Sequence, residues 1–182
     1  MQMDYANRPT WDSYYMALTF VIAQRSIDPN TKHGTVVVGE GNEILSIGYN
    51  SPPRGCIDGD IPLESPEKYI YMIHSEDNAI INAARIGVSL KNSTFYITGH
   101  PCARCFRSIV NAGAKRILYG PISSKCIDEE DVLAIDKMRR HQHLTIGTGC
   151  IKLEQYTEND AIEILKNSQE YILRKTSEND KK

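Results

Sequence analysis

The order of strand-like and helix-like segments predicts an α/β protein, a three-layer α/β/α sandwich around a mixed central sheet of about five strands. Two observations support this fold class. Short runs of β-branched and aromatic residues alternate, in the middle of the chain, with segments whose apolar residues recur at helical spacing. Hydrophobic residues make up 41% and charged residues 24% of the 182 residues, a balance typical of a globular protein. That length suits one core, so we expect a single domain over residues 1–182.

The first part of the chain divides into a helix, a hairpin and a long loop. Apolar residues at helical spacing predict a helix from Asp12 to Ile27. Strands are predicted from Thr35 to Gly39 and from Ile44 to Tyr49, and Glu40-Gly41-Asn42 between them is typical of a hairpin loop. The segment from Asn50 to Lys68 is rich in proline, glycine and acidic residues, which predicts a long, functional loop.

The rest of the chain alternates helices with strands. Helices are predicted over Ser75 to Ile86, Cys102 to Ala112, Asp131 to Arg140 and Asp160 to Leu173, and strands over Thr94 to Thr98, Arg116 to Tyr119 and Cys150 to Glu154. Gly87 and Gly113 suit helix ends. The polar segment from Arg174 to Lys182 is expected to be a frayed tail.

Composition narrows the location and the class of partner. No apolar run approaches the roughly 18 residues of a membrane helix, and the N-terminal segment does not resemble a signal peptide. We therefore expect a cytoplasmic protein without membrane contact. Its five cysteines favour metal or redox chemistry over a disulfide framework. A formal net charge of -2 makes a small-molecule partner more plausible than a nucleic acid.

Two short motifs carry metal-ligand chemistry. One contains His74, and the other, Pro-Cys-Ala-Arg-Cys at 101–105, contains Cys102 and Cys105. Each lies where a loop is predicted to turn into a helix, and helix N-termini stabilise thiolates. Three protein ligands leave the fourth tetrahedral position open to water, as in catalytic zinc sites. We therefore predict a Zn²⁺ ion bound by His74, Cys102 and Cys105.

Glu76 is the predicted catalytic residue. It lies two positions after His74, close enough to exchange protons with a water on the metal without binding the metal itself. A His-x-Glu motif followed by Pro-Cys-x-x-Cys is the signature of zinc nucleobase deaminases. The alternative is a structural zinc site, which would need a fourth protein ligand. The available side chains are His100, Cys126, His141, His143 and Cys150, none at a fixed spacing from the motifs.

Beyond the metal motifs, the chain resembles the deoxycytidylate (dCMP) deaminase family over about residues 8 to 120. The segments that carry this resemblance are Arg8-Pro9-Thr10-Trp11-Asp12, Gly48-Tyr49-Asn50, Pro53-Arg54-Gly55-Cys56, Lys68-Tyr69-Ile70-Tyr71 and His74-Ser75-Glu76-Asp77-Asn78-Ala79-Ile80. It is most specific where the tyrosine-rich segment runs into the His-x-Glu motif. The chain after Gly120 resembles the family only loosely.

The resemblance implies a cytidine deaminase-like fold and hydrolysis of dCMP to dUMP with release of ammonia, a supply step for thymidylate synthesis. It implies that Asn50 contacts the sugar, although Asn50 also suits a turn after a strand. Ser75, His100 and Pro101 are expected near the substrate. Family members form homo-oligomers, with a hexamer favoured, and dCTP and dTTP regulate many of them. Effector contacts are expected at Gly48, Asn50, Gly55, Asp58, Lys68 and Tyr69.

Several positions depart from the family pattern. Ser51 stands where the family usually has glycine, which weakens the expectation of effector control. Ser75 replaces alanine, and we expect its hydroxyl to cap the helix. His100 stands where a small, apolar or aromatic residue is usual. Lys32 and His33 either help to hold a phosphate or form a charged turn.

Three other functions stay open. The substrate could instead be dCTP, 5-methyl-dCMP or cytidine, with the chemistry unchanged. A tRNA adenosine deaminase shares both motifs, but it would need basic residues for the RNA backbone. A zinc-stabilised subunit without activity would have no need of a proton-transferring Glu76.

Overall fold

The computed structural model describes residues 8–122, 128–146 and 151–179, which contain one five-stranded sheet. Its strands are β1 (Gly34–Val38), β2 (Ile44–Tyr49), β3 (Thr94–Ile97), β4 (Arg116–Tyr119) and β5 (Lys152–Gln155), in the spatial order β2-β1-β3-β4-β5. β1 pairs antiparallel with β2 and β3, whereas β3, β4 and β5 run parallel. The predicted mixed sheet is therefore confirmed.

Helices cover both faces of the sheet. They are α1 (Trp11–Ala23), α2 (Lys68–Tyr71), α3 (Ser75–Ile86), α4 (Ala103–Asn111), α5 (Glu129–Ile146) and α6 (Asp160–Asn179), and a 3₁₀ turn spans Asp58–Asp60. α1 packs on β1 and against α6, while α3 packs on β2 and against α4, which in turn contacts α5. This arrangement is the predicted three-layer sandwich.

Alternation along the strands divides the core into two clusters. In β1, Val37 belongs to the cluster beneath α3 and α4, whereas Val36 and Val38 belong to the cluster beneath α1 and α6. β3 follows the same rule, with Phe95 facing one cluster and Tyr96 the other. Two clusters form because the strand period of two directs successive apolar side chains to opposite faces of the sheet.

Several helix boundaries differ from the predicted ones, and side-chain hydrogen bonds explain two of them. α1 ends at Ala23, before Ile27, because Asp28 instead accepts the amides of Asn30 and Thr31 in a turn. α5 begins at Glu129, since the carboxylate of Asp128 accepts the amide of Asp131.

The C-terminal elements also differ. α6 continues to Asn179, beyond the expected end at Leu173, because the segment 174–179 contains good helix formers and neither glycine nor proline. The predicted tail is thus helical as far as the structure describes it. β5 is shifted toward the C-terminus of the predicted strand, and Cys150 lies outside the described residues. Among the described helices, none combines the length and the apolar character needed to cross a membrane.

Candidate active site

The site forms where the N-termini of α3 and α4 meet. His74 is the N-cap of α3 and Cys102 the N-cap of α4, both with extended backbones. Gly48 in β2 permits the close approach of α3, because a Cβ there would collide with the backbone of Ser75 and Ala79. Gly48 is therefore a buried packing position, which argues against the effector contact expected of it.

Three ligand side chains converge between these helix ends. His74 Nδ1 lies 3.6 Å from Cys102 Sγ and 3.4 Å from Cys105 Sγ, and the three ligand atoms all lie within 4.8 Å of one another. Zinc bonds of about 2.3 Å to sulfur and about 2.05 Å to nitrogen put two tetrahedral donors about 3.6 Å apart. The spacing thus fits a zinc ion. Among the described residues this cluster contains three protein ligands, the number typical of catalytic zinc.

The pKa shifts within the cluster show that its two thiolates need a compensating positive charge. The hydrogen bond shared with Cys105 lowers the pKa of Cys102 to about 3, with His74 adding to the effect. The pKa of Cys105 is raised by the same neighbour and by burial. The hydrogen bond to Cys102 also raises the pKa of His74. A divalent cation would remove the cost of holding two thiolates together, because it supplies the opposite charge.

Glu76 lies in the first turn of α3, only 5% exposed. Burial raises the pKa of Glu76, and the positive charge on His74 opposes that rise. Ser75 Oγ donates a 2.9 Å hydrogen bond to Glu76 Oε2 and accepts one of 2.9 Å from Thr35 Oγ1. The expectation that Ser75 caps the helix is wrong, because its hydroxyl is directed to these two side chains and not to an α3 amide. A buried carboxyl with a raised pKa is suited to proton transfer.

A cavity of about 470 Å³ opens beside the metal cluster. Its lining includes Ser75, Glu76 and His100, which we had placed near the substrate or the metal, together with Asn50. Pro101 is buried, and its carbonyl oxygen accepts a 2.8 Å hydrogen bond from His100 Nδ1, which leaves His100 Nε2 without a proton. The volume lies within the range of about 300–1,000 Å³ usual for ligand pockets.

Asn50 is held by the backbone of the segment that precedes β1. Its Oδ1 accepts the amide of His33 at 2.7 Å, and its Nδ2 donates to the carbonyl of Thr31 at 3.0 Å. One amide hydrogen of Asn50 remains for another acceptor. The structural role and the sugar contact are therefore compatible, and the sugar contact stays a prediction.

The other expected effector residues separate into two groups. Lys68 and Tyr69 line the cavity, whereas Gly55 and Asp58 are exposed on the loop after β2. Lys68 is buried and forms a 2.7 Å ion pair with Asp28, whose side chain is 5% exposed. Its charge is thus already compensated within the protein.

The alternative fourth ligands are not in the cluster where the structure describes them. His100 lines the cavity beside it, and His141 lies in the groove between α4 and α5. Cys126, Cys150 and the side chain of His143 lie outside the described residues. Cys56 is an exposed free thiol.

Two polar residues at the site were missed by the assignment of roles from sequence. Asp28 lines the cavity beside His33, and Thr35 supports Ser75 from β1. Their contacts join positions far apart in the chain, 40 residues for Thr35 and Ser75. One signal in the sequence could have pointed to Thr35. It is the polar residue in a strand that is otherwise glycine and valine.

Comparison with known proteins places this geometry in a family. The family described as the cytidine and deoxycytidylate deaminase zinc-binding region matches residues 9–121. The chain belongs to this zinc-binding deaminase family. The match spans β1 to β4 and includes all three ligands of the cluster and Glu76. The predicted resemblance and the zinc cofactor are confirmed.

Individual relatives agree with this assignment. The chain is 36% identical over 130 residues to the deoxycytidylate deaminase of Homo sapiens, covering 68% of this chain and 71% of that protein. It is 35% identical over 139 residues to a probable deoxycytidylate deaminase of Drosophila melanogaster, covering 70% and 66%. The dCMP deaminase of the cyanophage S-TIM5, solved with dCMP and dUMP, shares the fold with a TM-score of 0.66 at 23% identity, covering 82% of this chain and 98% of the phage chain.

Proposed function

We propose that this deaminase hydrolyses dCMP to dUMP and ammonia. The observation that carries the proposal is the buried carboxyl of Glu76 next to a three-ligand zinc cluster, in a cavity of nucleotide size. A structural zinc would need no proton-transferring group there. The relatives named deoxycytidylate deaminase support dCMP as the substrate.

The chain supplies binding and proton transfer. His74, Cys102 and Cys105 would hold the zinc, which supplies a water that is nucleophilic at neutral pH. Glu76 takes one proton from the attacking water and delivers it to N3 of the ring. It then takes the remaining proton of that oxygen, now the hydroxyl on C4, and passes it to the 4-amino group, which leaves as ammonia. The hydroxyl of Ser75 fixes the orientation of Glu76 Oε2. Each proton therefore moves over a short distance within a site largely closed to bulk water.

Regulation and assembly belong to the same proposal. We expect a homo-oligomer, with a hexamer favoured, a cytoplasmic location, and control by dCTP and dTTP. Of the residues expected to bind effectors, Lys68 and Tyr69 share the cavity with Glu76, so an effector using them would compete with substrate. Gly55 and Asp58 are exposed on the preceding loop, where an effector would leave the cavity free.

The test is ammonia release, with products identified, from purified zinc-loaded protein. The panel contains dCMP, dCTP, 5-methyl-dCMP, cytidine, deoxycytidine and a tRNA anticodon stem. Fast turnover of dCMP supports the proposal, and faster turnover of another member transfers the substrate assignment to it. Binding of the tRNA stem, which should weaken steeply with salt, would favour the RNA-directed alternative. Silence across the panel with zinc bound would support a subunit without activity.

A further inference from the structure

His33 combines two features that the proposed chemistry does not use. Its ring lines the cavity that contains Glu76, and its buried Nε2 atom has no hydrogen-bond partner in the part of the chain that the structure describes. Such an atom is unusual in a folded protein, where nearly all buried polar groups are paired. A hydrogen-bonding group on a bound ligand could supply the partner that His33 Nε2 lacks.

The hydrogen-bond network assigns the proton on the ring. Thr98 Oγ1 accepts the amide of Gly34 at 3.2 Å and lies 2.9 Å from His33 Nδ1. Thr98 is fully buried, and His33 Nδ1 is the acceptor within reach of its hydroxyl proton. The hydroxyl therefore donates to Nδ1, which places the ring proton on Nε2. The unpaired atom is consequently a donor on the cavity wall.

The ring is neutral under ordinary conditions. Burial lowers the pKa of His33 to about 4, and the nearby charge of His74 lowers it further. A charged donor binds a phosphate more strongly than a neutral donor does, so a neutral ring lacks the charge that would favour a phosphate over an uncharged oxygen. The neighbouring Lys32 does not line the cavity, and its Nζ donates to the carbonyl of Ser26 at 2.8 Å.

The backbone fixes which part of a nucleotide the ring can reach. The amide of His33 donates to Asn50 Oδ1, and its carbonyl accepts the amide of Asn50, so the two residues are held together. On the other side, Thr98 directly follows β3 and leads into the loop that carries Cys102. His33 thus lies between the residue expected at the sugar and the reaction centre.

We propose that the Nε2–H of His33 donates a hydrogen bond to an uncharged oxygen of the bound nucleoside, either the carbonyl oxygen of the base or an oxygen of the sugar. This contact makes His33 a substrate-binding residue that recognises the base or the sugar and not the phosphate. The identity of the nucleotide used in the test rests on the proposed function.

Two conservative variants separate this contact from a structural role. His33→Asn can still accept from Thr98 but cannot reach the cavity with a donor. His33→Gln places an amide N–H close to the position of Nε2 but loses the link to Thr98. If His33 binds the substrate, His33→Gln should have the lower KM and Kd of the two variants. If the ring has only a structural role, His33→Asn should have the lower values.

The experiment measures dCMP turnover together with calorimetric binding of dUMP and deoxyuridine to zinc-loaded protein. His33→Asn should raise KM and the Kd of both ligands by about tenfold, with kcat changed by less than about twofold. His33→Gln should stay within about threefold of the parent. A 2-thio analogue of dUMP distinguishes the sources, since the penalty of the Asn variant disappears if the base carbonyl is the acceptor and persists if the sugar is.

Three results would overturn the inference. One is equal affinity of parent and Asn variant in a parent that turns over dCMP. Another is a loss confined to dUMP and absent for deoxyuridine, which would make His33 a phosphate ligand. The third is a parent that neither binds dUMP nor turns over dCMP, a failure of the proposed function that removes this inference with it.

Discussion

Replacing Ser75 by alanine would remove the middle group of a buried hydroxyl chain. Thr35 Oγ1 donates to Ser75 Oγ, and Ser75 Oγ donates to Glu76 Oε2, both at 2.9 Å. Thr35 and Ser75 are fully buried, and Glu76 is 5% exposed, so water cannot easily replace the lost group. Ser75→Ala therefore leaves a hydroxyl donor and a carboxyl oxygen without partners.

The magnitude follows from these two losses. A stranded buried donor costs about 1–3 kcal/mol, and a hydrogen bond to a charged group contributes about 1.5–3 kcal/mol. The two free-energy costs are not additive, because the Thr35 hydroxyl and the Glu76 carboxyl can shift slightly toward each other. We expect Ser75→Ala to lower the free energy of unfolding by about 2–3 kcal/mol. Adding Thr35→Val removes the stranded donor, and the double variant should recover about 1 kcal/mol relative to Ser75→Ala.

The assay is urea unfolding at fixed excess zinc, followed by circular dichroism, for both single variants and the double variant. Ser89→Ala serves as the control, because Ser89 is exposed and its loss should cost less than about 0.5 kcal/mol. The reasoning would be refuted if Ser75→Ala behaved like Ser89→Ala. It would also be refuted if Thr35→Val made the Ser75→Ala protein less stable.

Three further predictions concern Glu76, Cys105 and Lys68. Glu76→Gln should reduce kcat by about 10²–10⁴-fold while zinc content and melting temperature are kept, and unchanged turnover would contradict the proposed proton transfer. Cys105→Ser, or chelation of the parent, should abolish stoichiometric zinc in metal analysis and lower the melting temperature. Lys68→Met should cost about 3 kcal/mol in urea unfolding, because it leaves Asp28 buried without its cation. Burial raises the pKa of Asp28, but hydrogen bonds from Lys68 and two amides outweigh it and lower the pKa. The parent therefore keeps this stabilisation above about pH 4 and loses it as pH falls through the depressed pKa, a dependence that should shrink in Lys68→Met.

Much of the fold could be predicted because its signals are local. The run of valines in β1 and the helical spacing in α1 act within one element, and Gly87, with a φ of 74°, ends α3 as expected of a left-handed cap. Element ends were less predictable where a tertiary or capping contact decides them, as at Asp28 after α1 and Asp128 before α5. Whether the whole chain forms one domain stays a prediction.

The metal half of the site is likewise local in sequence. His74 and Glu76 are separated by one residue, and Cys102 and Cys105 by two, so each helix start brings its own pair. The polar surroundings are not local. The partners of Ser75, Lys68 and His33 lie 40, 40 and 65 residues away, and no spacing rule connects such positions before the sheet is assembled.

Two of the departures from the family pattern that line the cavity, Ser75 and His33, are explained by this assembly. Each is paired with a threonine on the sheet, Thr35 at the start of β1 and Thr98 just after β3. β1 and β3 are neighbours, so both threonines lie at the same edge of the sheet, above the ends of α3 and α4. A polar side chain in a buried wall is tolerated only when a partner satisfies it. Ser75 donates its own hydrogen to Glu76, the proposed proton carrier, whereas His33 Nε2 has no partner among the described residues and is the donor that we propose for the substrate.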